Sequence, residues 1–491
     1  MIWKVRLLAV LLGATSVVSF APFEIAPLSV ICISGLLLLS LTADPNNAFK
    51  SGFCFGFGMY SAGVSWVYIS LSTYGGMPLW MGMISVIGFA SLMALFVAIT
   101  NYFARLFAGN NERLYLIVFP FIWVLFEWTK SWVFSGFPWL DIGYSQTGTW
   151  LAGWAPIGGI YLVGFWVVVL AALLVLLVTQ RAWFSVFPVL LVLFFSWSLS
   201  SVAWTSPLGK PVNIGVVQAN IPIEGKWSPK NQQRALQQYR QSSIELSQLS
   251  QTDIIVWPET ALPLYLSQTD VDFWNRMVPE GVDLITGLLD HDQSNSYNAA
   301  ILSCSGSRDA PQVYRKRHLV PFGEYQPFQL LFGWVFEYLQ LPMSEFSSWG
   351  GVQQLKCESG VGIGLSICYE DAFSNEYRAF LGDANILVNI SEDAWFGDSL
   401  APHQRRQMAQ MRALELGRPM IRSANSGPSL FIDEFGDIAK ITPQFESAVA
   451  SQFVQPMRGS TPFMQLGSWI IWLSLFLFMA LLARYAAQFR G

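Results

Sequence analysis

The distribution of charge along the chain limits its fold more than any motif does. Residues 1–206 carry seven Lys/Arg (Lys4, Arg6, Lys50, Arg105, Arg113, Lys130, Arg181) and five Asp/Glu (Glu24, Asp44, Glu112, Glu127, Asp141). So few ionised groups cannot cover a water-facing surface of that length, because about a quarter of a soluble protein is charged. Over all 491 residues the charged share is 12%, against 53% hydrophobic. Seven apolar stretches fill the first part, at roughly 7–21, 26–42, 52–71, 78–104, 114–134, 158–179 and 183–203, and an eighth runs from Gly467 to Ala483. A helix needs about 20 apolar residues to cross a bilayer, so each is read as a span, the first two near the lower limit. Lys4 and Arg6 before a short apolar core also fit a cleavable signal peptide, which leaves the downstream topology unchanged.

If every stretch spans, Lys4, Arg6, Lys50, Arg105, Arg113, Arg181, Arg484 and Arg490 share one side, and Glu24 and Asp141 the other, with Lys130 near one boundary there. The positive-inside rule then puts both termini in the cytoplasm. After seven crossings, Lys210 to about Arg458, which has ordinary soluble composition, lies outside; in a bacterium that is the periplasm. Cys304, Cys357 and Cys368 share that oxidising side, where disulfides persist. Cys304 and Cys357 are able to pair if Cys368 stays free. A net charge of −4 with no basic stripe argues against nucleic acid. His291, His318 and His403 show no ligand spacing, so neither metal nor cofactor is expected.

The soluble part alternates strand and helix patterns, as one α/β domain would. Strands are expected at Val212–Val217, Asp253–Trp257, Val282–Thr286, Tyr297–Cys304, Val313–His318, the run ending at Ile367, Ala384–Ile390, Ile421–Ser423 and Leu430–Asp433. Helices are expected at Lys230–Ser247, near Asp272–Met277, and at Arg405–Leu416, where Gly417-Arg-Pro stops the last.

Three strand ends carry chemistry. Ile255-Val-Trp-Pro-Glu259 ends in a carboxylate, Tyr314-Arg-Lys316-Arg-His318 is a basic run followed by a turn and Glu324, and Val361–Ile367 leads into Cys368-Tyr369-Glu370. Singly, Glu259 reads as a turn residue, Lys316 as a solvated strand residue and Cys368 as a small buried hydrophobe. Together, in this order and each at a strand end, they resemble the nitrilase-superfamily triad. A carboxylate base makes thiolate, a cation meets the oxyanion and a sulfur carries an acyl group. A thiol with an ordinary pKa near 8.5 needs such a base and cation to favour thiolate.

Further pieces extend the resemblance to nearly the whole chain: Ser135-Gly-Phe-Pro-Trp-Leu-Asp-Ile-Gly-Tyr-Ser-Gln146, Trp257-Pro-Glu-Thr-Ala-Leu-Pro, His318-Leu-Val-Pro-Phe-Gly-Glu, Asp393-Ala-Trp-Phe-Gly-Asp and Met411-Arg-Ala-Leu-Glu-Leu-Gly-Arg-Pro. The chain resembles the bacterial apolipoprotein N-acyltransferases. The resemblance implies an α/β nitrilase-like αββα sandwich on a polytopic bundle of about eight spans. The bundle would occupy 1–206, the catalytic domain 207–458, and a last transmembrane helix with a cytoplasmic tail 459–491. It further implies an inner-membrane enzyme that moves a fatty acyl chain from phospholipid to the N-terminal amine of a diacylglyceryl-cysteine apolipoprotein. By position, Glu259 is the base, Lys316 the oxyanion cation and Cys368 the nucleophile. Glu324 is a second glutamate orienting the lysine or assisting the base, and Trp227, Tyr369 and Glu370 support the site. Pro402-His-Gln-Arg-Arg departs from a more usual Pro-Trp-Gln-His, and a Cys304–Cys357 pair is not expected of the family.

Two further expectations concern the membrane. The aromatic stretch Phe328 to Trp349 reads as a lid dipping into lipid or as ordinary core. Glu127 and Lys130, three apart, are spaced to pair, as a structural anchor or a headgroup site. The competing functions are a membrane-tethered amidase or nitrilase acting on small carbon–nitrogen substrates, and a transporter or lipid-binding scaffold with an inactive domain. The first leaves some two hundred residues of membrane helix as a mere anchor, and the second leaves an intact triad idle.

Overall fold

A computed structural model describes residues 2–327, 345–351, 355–357, 360–380 and 382–488. The expected lid falls largely on 328–344, outside the described residues. All the apolar stretches fold as helix: α1 (Ile2–Ser16), α2 (Pro27–Ser40), α3 (Pro45–Gly63), α4 (Leu79–Ala108), α5 (Glu112–Lys130), α6 (Ala155–Gln180) and α7 (Val186–Ser200), with Trp469–Ala487 after the soluble part. Among the described residues, four helical segments are long and apolar enough to cross a membrane: Leu79–Ala108, Trp150–Gln180, Trp183–Ser200 and Trp469–Ala487. The others fall short for physical reasons. α1 and α2 have 15 and 14 residues. α3 is diluted by Asn46, Asn47, Lys50 and four glycines, and α5 carries Glu112, Arg113, Glu127 and Lys130.

The expected Glu127–Lys130 pair does not form. The chain after α5 folds back, its Phe137 N–H donating to the Lys130 carbonyl at 2.7 Å. That return brings Asp141 to 2.7 Å from Lys130 Nζ, which also donates to Tyr60 Oη (2.8 Å) and the Trp139 carbonyl (3.2 Å). Glu127 Oε1 instead accepts the Ile142 N–H at 2.7 Å. All three ammonium protons of Lys130 therefore have acceptors within the protein, which argues for the anchoring role over headgroup binding.

Among the described residues, the soluble part holds a short two-stranded ladder pairing Ser206–Pro207 with Met457–Arg458, and twelve further strands in two six-stranded sheets. They are β1 (Val212–Gln218), β2 (Ile254–Val256), β3 (Asp283–His291), β4 (Ser296–Ser303), β5 (Gln312–Arg315), β6 (Leu355–Lys356), β7 (Gly362–Ile367), β8 (Ile386–Ser391), β9 (Met420–Ala424), β10 (Leu430–Ile432), β11 (Ile438–Ile441) and β12 (Ala448–Val454). One sheet has the order β12-β1-β2-β3-β4-β5 and the other β11-β10-β9-β8-β7-β6. Alternation along each strand sorts side chains between two faces. Ile254 and Val256 of β2 share a core with Ile386, Val388 and Ile390 of β8, so these faces meet. Ile255 points the other way, packing with Tyr239 and Leu246 of α8 (Pro229–Leu249). Leu387 and Met420 likewise pack with Ala409, Ala413 and Leu416 of α9 (Leu400–Leu416). The result is an αββα sandwich. β11 and β12 were not expected from sequence, and β12 pairs antiparallel with β1 from over two hundred residues away. Cys304 and Cys357 are disulfide-bonded, while Cys32, Cys54 and Cys368 are free.

The sandwich rests directly on the helices. Tyr369 Oη donates to the Gly136 carbonyl (3.0 Å), Trp139 Nε1 to Gln404 Oε1 (2.6 Å), and Ser70 Oγ to the Trp395 carbonyl (2.8 Å). α6 is broken at Gly158 and Gly159, and the Ile160 N–H freed there donates to Glu415 Oε1 of α9 at 2.7 Å.

Candidate active site

The three strand-end residues meet in one buried cluster. Lys316 follows β5 directly and has 1% of its side chain exposed; its Nζ lies 2.9 Å from Glu324 Oε1 and 3.5 Å from Glu259 Oε1. Two carboxylates thus share one ammonium, with Glu324 holding it more closely. Glu259 is left the less neutralised of the two. Asn298 of β4 clamps both, its Nδ2 donating to Glu259 Oε1 (2.7 Å) and Glu324 Oε1 (2.8 Å). The remaining carboxylate oxygens accept backbone N–H groups: Glu259 Oε2 that of Glu392 (2.9 Å), and Glu324 Oε2 that of Val320 (2.8 Å). Burial opposes the charge on Lys316, but Glu324 and then Glu259 override it and raise its pKa above the ordinary lysine value.

Cys368 follows β7 with φ +51°, a left-handed conformation that costs a non-glycine residue about 1–2 kcal/mol. Its carbonyl is fixed by Arg405 Nη2 (2.7 Å) and Asn389 Nδ2 (3.1 Å), and Arg405 Nη1 lies 3.6 Å from Sγ. Burial, then the charge of Glu259, push the thiol pKa up to about 12, with Arg405 and Lys316 pulling the other way. The cation thus favours thiolate as expected, while burial and the Glu259 carboxylate oppose it.

The supporting residues divide. Glu370 braces the two strand ends: Oε1 accepts the Arg317 and His318 N–H groups (2.7 and 3.2 Å), and Oε2 accepts Ile367 N–H (2.6 Å) and Tyr314 Oη–H (2.9 Å). Tyr369 docks on the helix-bundle side, its ring stacked 6.2 Å from Trp139 and edge-on to Phe373 at 4.9 Å. Trp227 is 39% exposed on its loop, and its neighbour Lys226 is the residue that reaches inward, 3.0 Å from Glu392 Oε2.

Sequence reading missed Asn298, Arg405 and Gly287. The one available signal for Asn298 was an amide interrupting the apolar run of β4. Gly287, in β3, lies under the turn that carries Glu259. A Cβ there would come within 2.4 Å of Thr260 N and 2.7 Å of Glu259 Cα. Gly287→Ala is therefore expected to push the Glu259 turn off its partners and lower turnover about 100-fold, the scale of a roughly 1 Å misplacement. Steady-state kinetics of the full chain checks this, and an unchanged rate would mean that the turn tolerates displacement.

Comparison with known proteins follows both halves of this architecture. The apolipoprotein N-acyltransferase N-terminal domain model matches residues 12–173, and the carbon-nitrogen hydrolase model matches residues 213–461. Proteins named apolipoprotein N-acyltransferase align along almost the whole chain. The one from Methylococcus capsulatus is 38% identical over 476 residues, covering 95% of this chain and 93% of that protein. The one from Nitrosomonas europaea is 36% identical over 491 residues, covering 98% and 97%. The one from Pseudomonas putida is 38% identical over 481 residues, covering 95% and 94%.

Proposed function

We propose, for a chain that belongs to the apolipoprotein N-acyltransferase family, that Glu259, Lys316 and Cys368 carry its reaction through a thioester on Cys368. The activity is N-acylation of apolipoprotein. The observation that most supports the thioester route is the buried convergence of a base, a cation and a thiol beside the helix bundle. As Sγ attacks a phospholipid ester carbonyl, the thiol proton passes to Glu259. The oxygen that becomes negative lies toward Lys316, whose ammonium stabilises it. Collapse expels the lysophospholipid alkoxide, which takes the proton back from Glu259. The lipoprotein amine then attacks the thioester, Glu259 accepts an amine proton, and the sulfur leaves. Glu324 and Asn298 hold Lys316 and Glu259 in register throughout, and Glu370 holds the two strand ends together. Because the donor product departs before the acceptor enters, the kinetics are ping-pong.

In the same reading, residues 1–206 form a seven-helix bundle in the inner membrane, 207–458 a periplasmic catalytic domain, and 459–491 the final span and a cytoplasmic tail. α1, α2, α3 and α5 complete eight spans with the four longer apolar segments. The one-sided placement of basic residues supports this orientation. So does the Cys304–Cys357 disulfide, since such bonds persist in oxidising compartments. The docking of Tyr369 on Gly136 supports delivery of donor lipid straight from the bilayer.

The test is to mix purified full-length protein with phospholipid vesicles and a diacylated lipopeptide, then measure lipopeptide mass and free fatty acid. The expected product is lipopeptide heavier by one acyl chain, with little fatty acid released when the lipopeptide is omitted. Rapid release without acceptor, at the rate of transfer, would replace acyl transfer with lipid hydrolysis.

A further inference from the structure

Lys316 and Arg405 are both buried cations, and they stand in different relations to the sulfur. Lys316 Nζ is engaged by Glu324 and Glu259, the carboxylate side of the site. Arg405, also 1% exposed, approaches from α9 with Nη1 3.6 Å from Cys368 Sγ. Its guanidinium cannot swing away. Nη1 also donates to Asp393 Oδ1 (2.9 Å) and Ser391 Oγ (2.5 Å), while Nη2 donates to Asp371 Oδ2 (3.0 Å) and the Cys368 carbonyl (2.7 Å). Asp393 is anchored in turn by Arg422 Nη2 at 2.6 Å. Two arginines and two aspartates thus form a neutral buried quartet, and Arg405 Nη1, whose two N–H groups are drawn by Asp393 Oδ1 and Ser391 Oγ in the resting site, lies at its edge within reach of the sulfur.

The two halves of a thioester reaction need negative charge stabilised at different atoms. In the first, the electron pair moves onto the carbonyl oxygen of the donor ester. In the second, the amine nitrogen bonds to the acyl carbon, the S–C bond breaks, and its electron pair stays on Sγ. The amine proton goes to Glu259 and later returns to Sγ. A thiolate expelled into a buried site without a donor is strongly disfavoured. We infer that Arg405 is a catalytic residue of the second half-reaction, the Nη1–H that rests on Ser391 Oγ being shared with the Cys368 sulfur as it leaves the thioester. This rests on Cys368 being the acyl carrier. The balance of charges on the thiol agrees with it, since Arg405 precedes Lys316 among the groups that favour thiolate.

The test separates the half-reactions in the full chain. Arg405→Lys keeps a positive charge for Asp371 and Asp393 but loses the fork that reaches Sγ, and Arg405→Gln removes the charge as well. Thioester formation is read by intact mass after phospholipid alone, and its decay is followed by rapid mixing with diacylated lipopeptide. The expected result is thioester formation that is slower than wild type, because Arg405 also holds the Cys368 carbonyl and favours thiolate there, but that still goes to completion. Its transfer to the amine should slow about 10- to 100-fold in Arg405→Lys, the worth of one hydrogen bond to a charged group. A matching readout is iodoacetamide labelling of Cys368, whose onset moves to higher pH in both variants.

Transfer from the preformed thioester at the wild-type rate in both variants would overturn the assignment. So would loss of thioester formation in variants that still melt cooperatively, because Arg405 would then only position the nucleophile. Absence of any thioester on Cys368 in the wild type is a separate failure, of the carrier itself.

Discussion

Cys368→Ser is expected to lower acyl transfer by at least about four orders of magnitude, as removal of a nucleophile from a triad does elsewhere. It should also eliminate the acyl adduct that intact mass detects after mixing with phospholipid alone. The substitution is close in size and keeps the backbone contacts of residue 368 to Arg405 and Asn389, so the fold should survive. What it removes is acidity and polarisability: a hydroxyl is a far weaker acid than a thiol, and a carboxylate is too weak a base to ionise it. An adduct of undiminished yield in the serine variant would show that another residue carries the acyl group.

Glu259→Gln should produce an effect of opposite sign in two measurements. Turnover falls about 10²- to 10⁴-fold, because the group proposed to take the thiol and amine protons during bond formation is lost. Alkylation of Cys368 in the free enzyme moves the other way. After burial, the Glu259 charge is the largest influence pushing the thiol toward its pKa of about 12, and Arg405 and Lys316 remain to pull it down. Removing the negative charge therefore lowers the thiol pKa, and labelling by iodoacetamide should begin at lower pH. A rate profile for labelling from neutral to strongly alkaline pH, beside steady-state turnover, reads both. If turnover and labelling fall together, Glu259 acts by holding the site together and the proton goes elsewhere.

These two outcomes depend on features that differed in how far they could be read from sequence. Glu259, Lys316 and Cys368 were legible because each follows a strand within three residues. A strand announces itself through local alternation and β-branched content, so its end is a place visible in one dimension. Helix formation by the apolar stretches was legible for the same reason. Their counting as spans was less so, since α3 and α5 offset apolar length with glycines, asparagines and charges that packing accommodates.

Partnership was another matter. Lys130 had Glu127 one helical turn away and still pairs with Asp141, because the returning loop after α5 supplies that carboxylate and the Trp139 carbonyl, while Tyr60 of α3 supplies a third acceptor. The resting state of the sulfur depends on burial beside Glu259, 109 positions back along a chain whose numbering alone implies no such contact. Asn298, Gly287 and Arg405 lie inside ordinary-looking strand and helix, and they acquire meaning only when β3, β4 and α9 are brought against the strand ends. The sequence by itself determined which segments fold as helix or strand and which strand ends bear reactive groups, since those follow from local periodicity and burial. Which polar atoms face one another, and so how protons and charges are shared, was decided by tertiary structure, because buried hydrogen bonds and ion pairs are selected by the approach of distant segments.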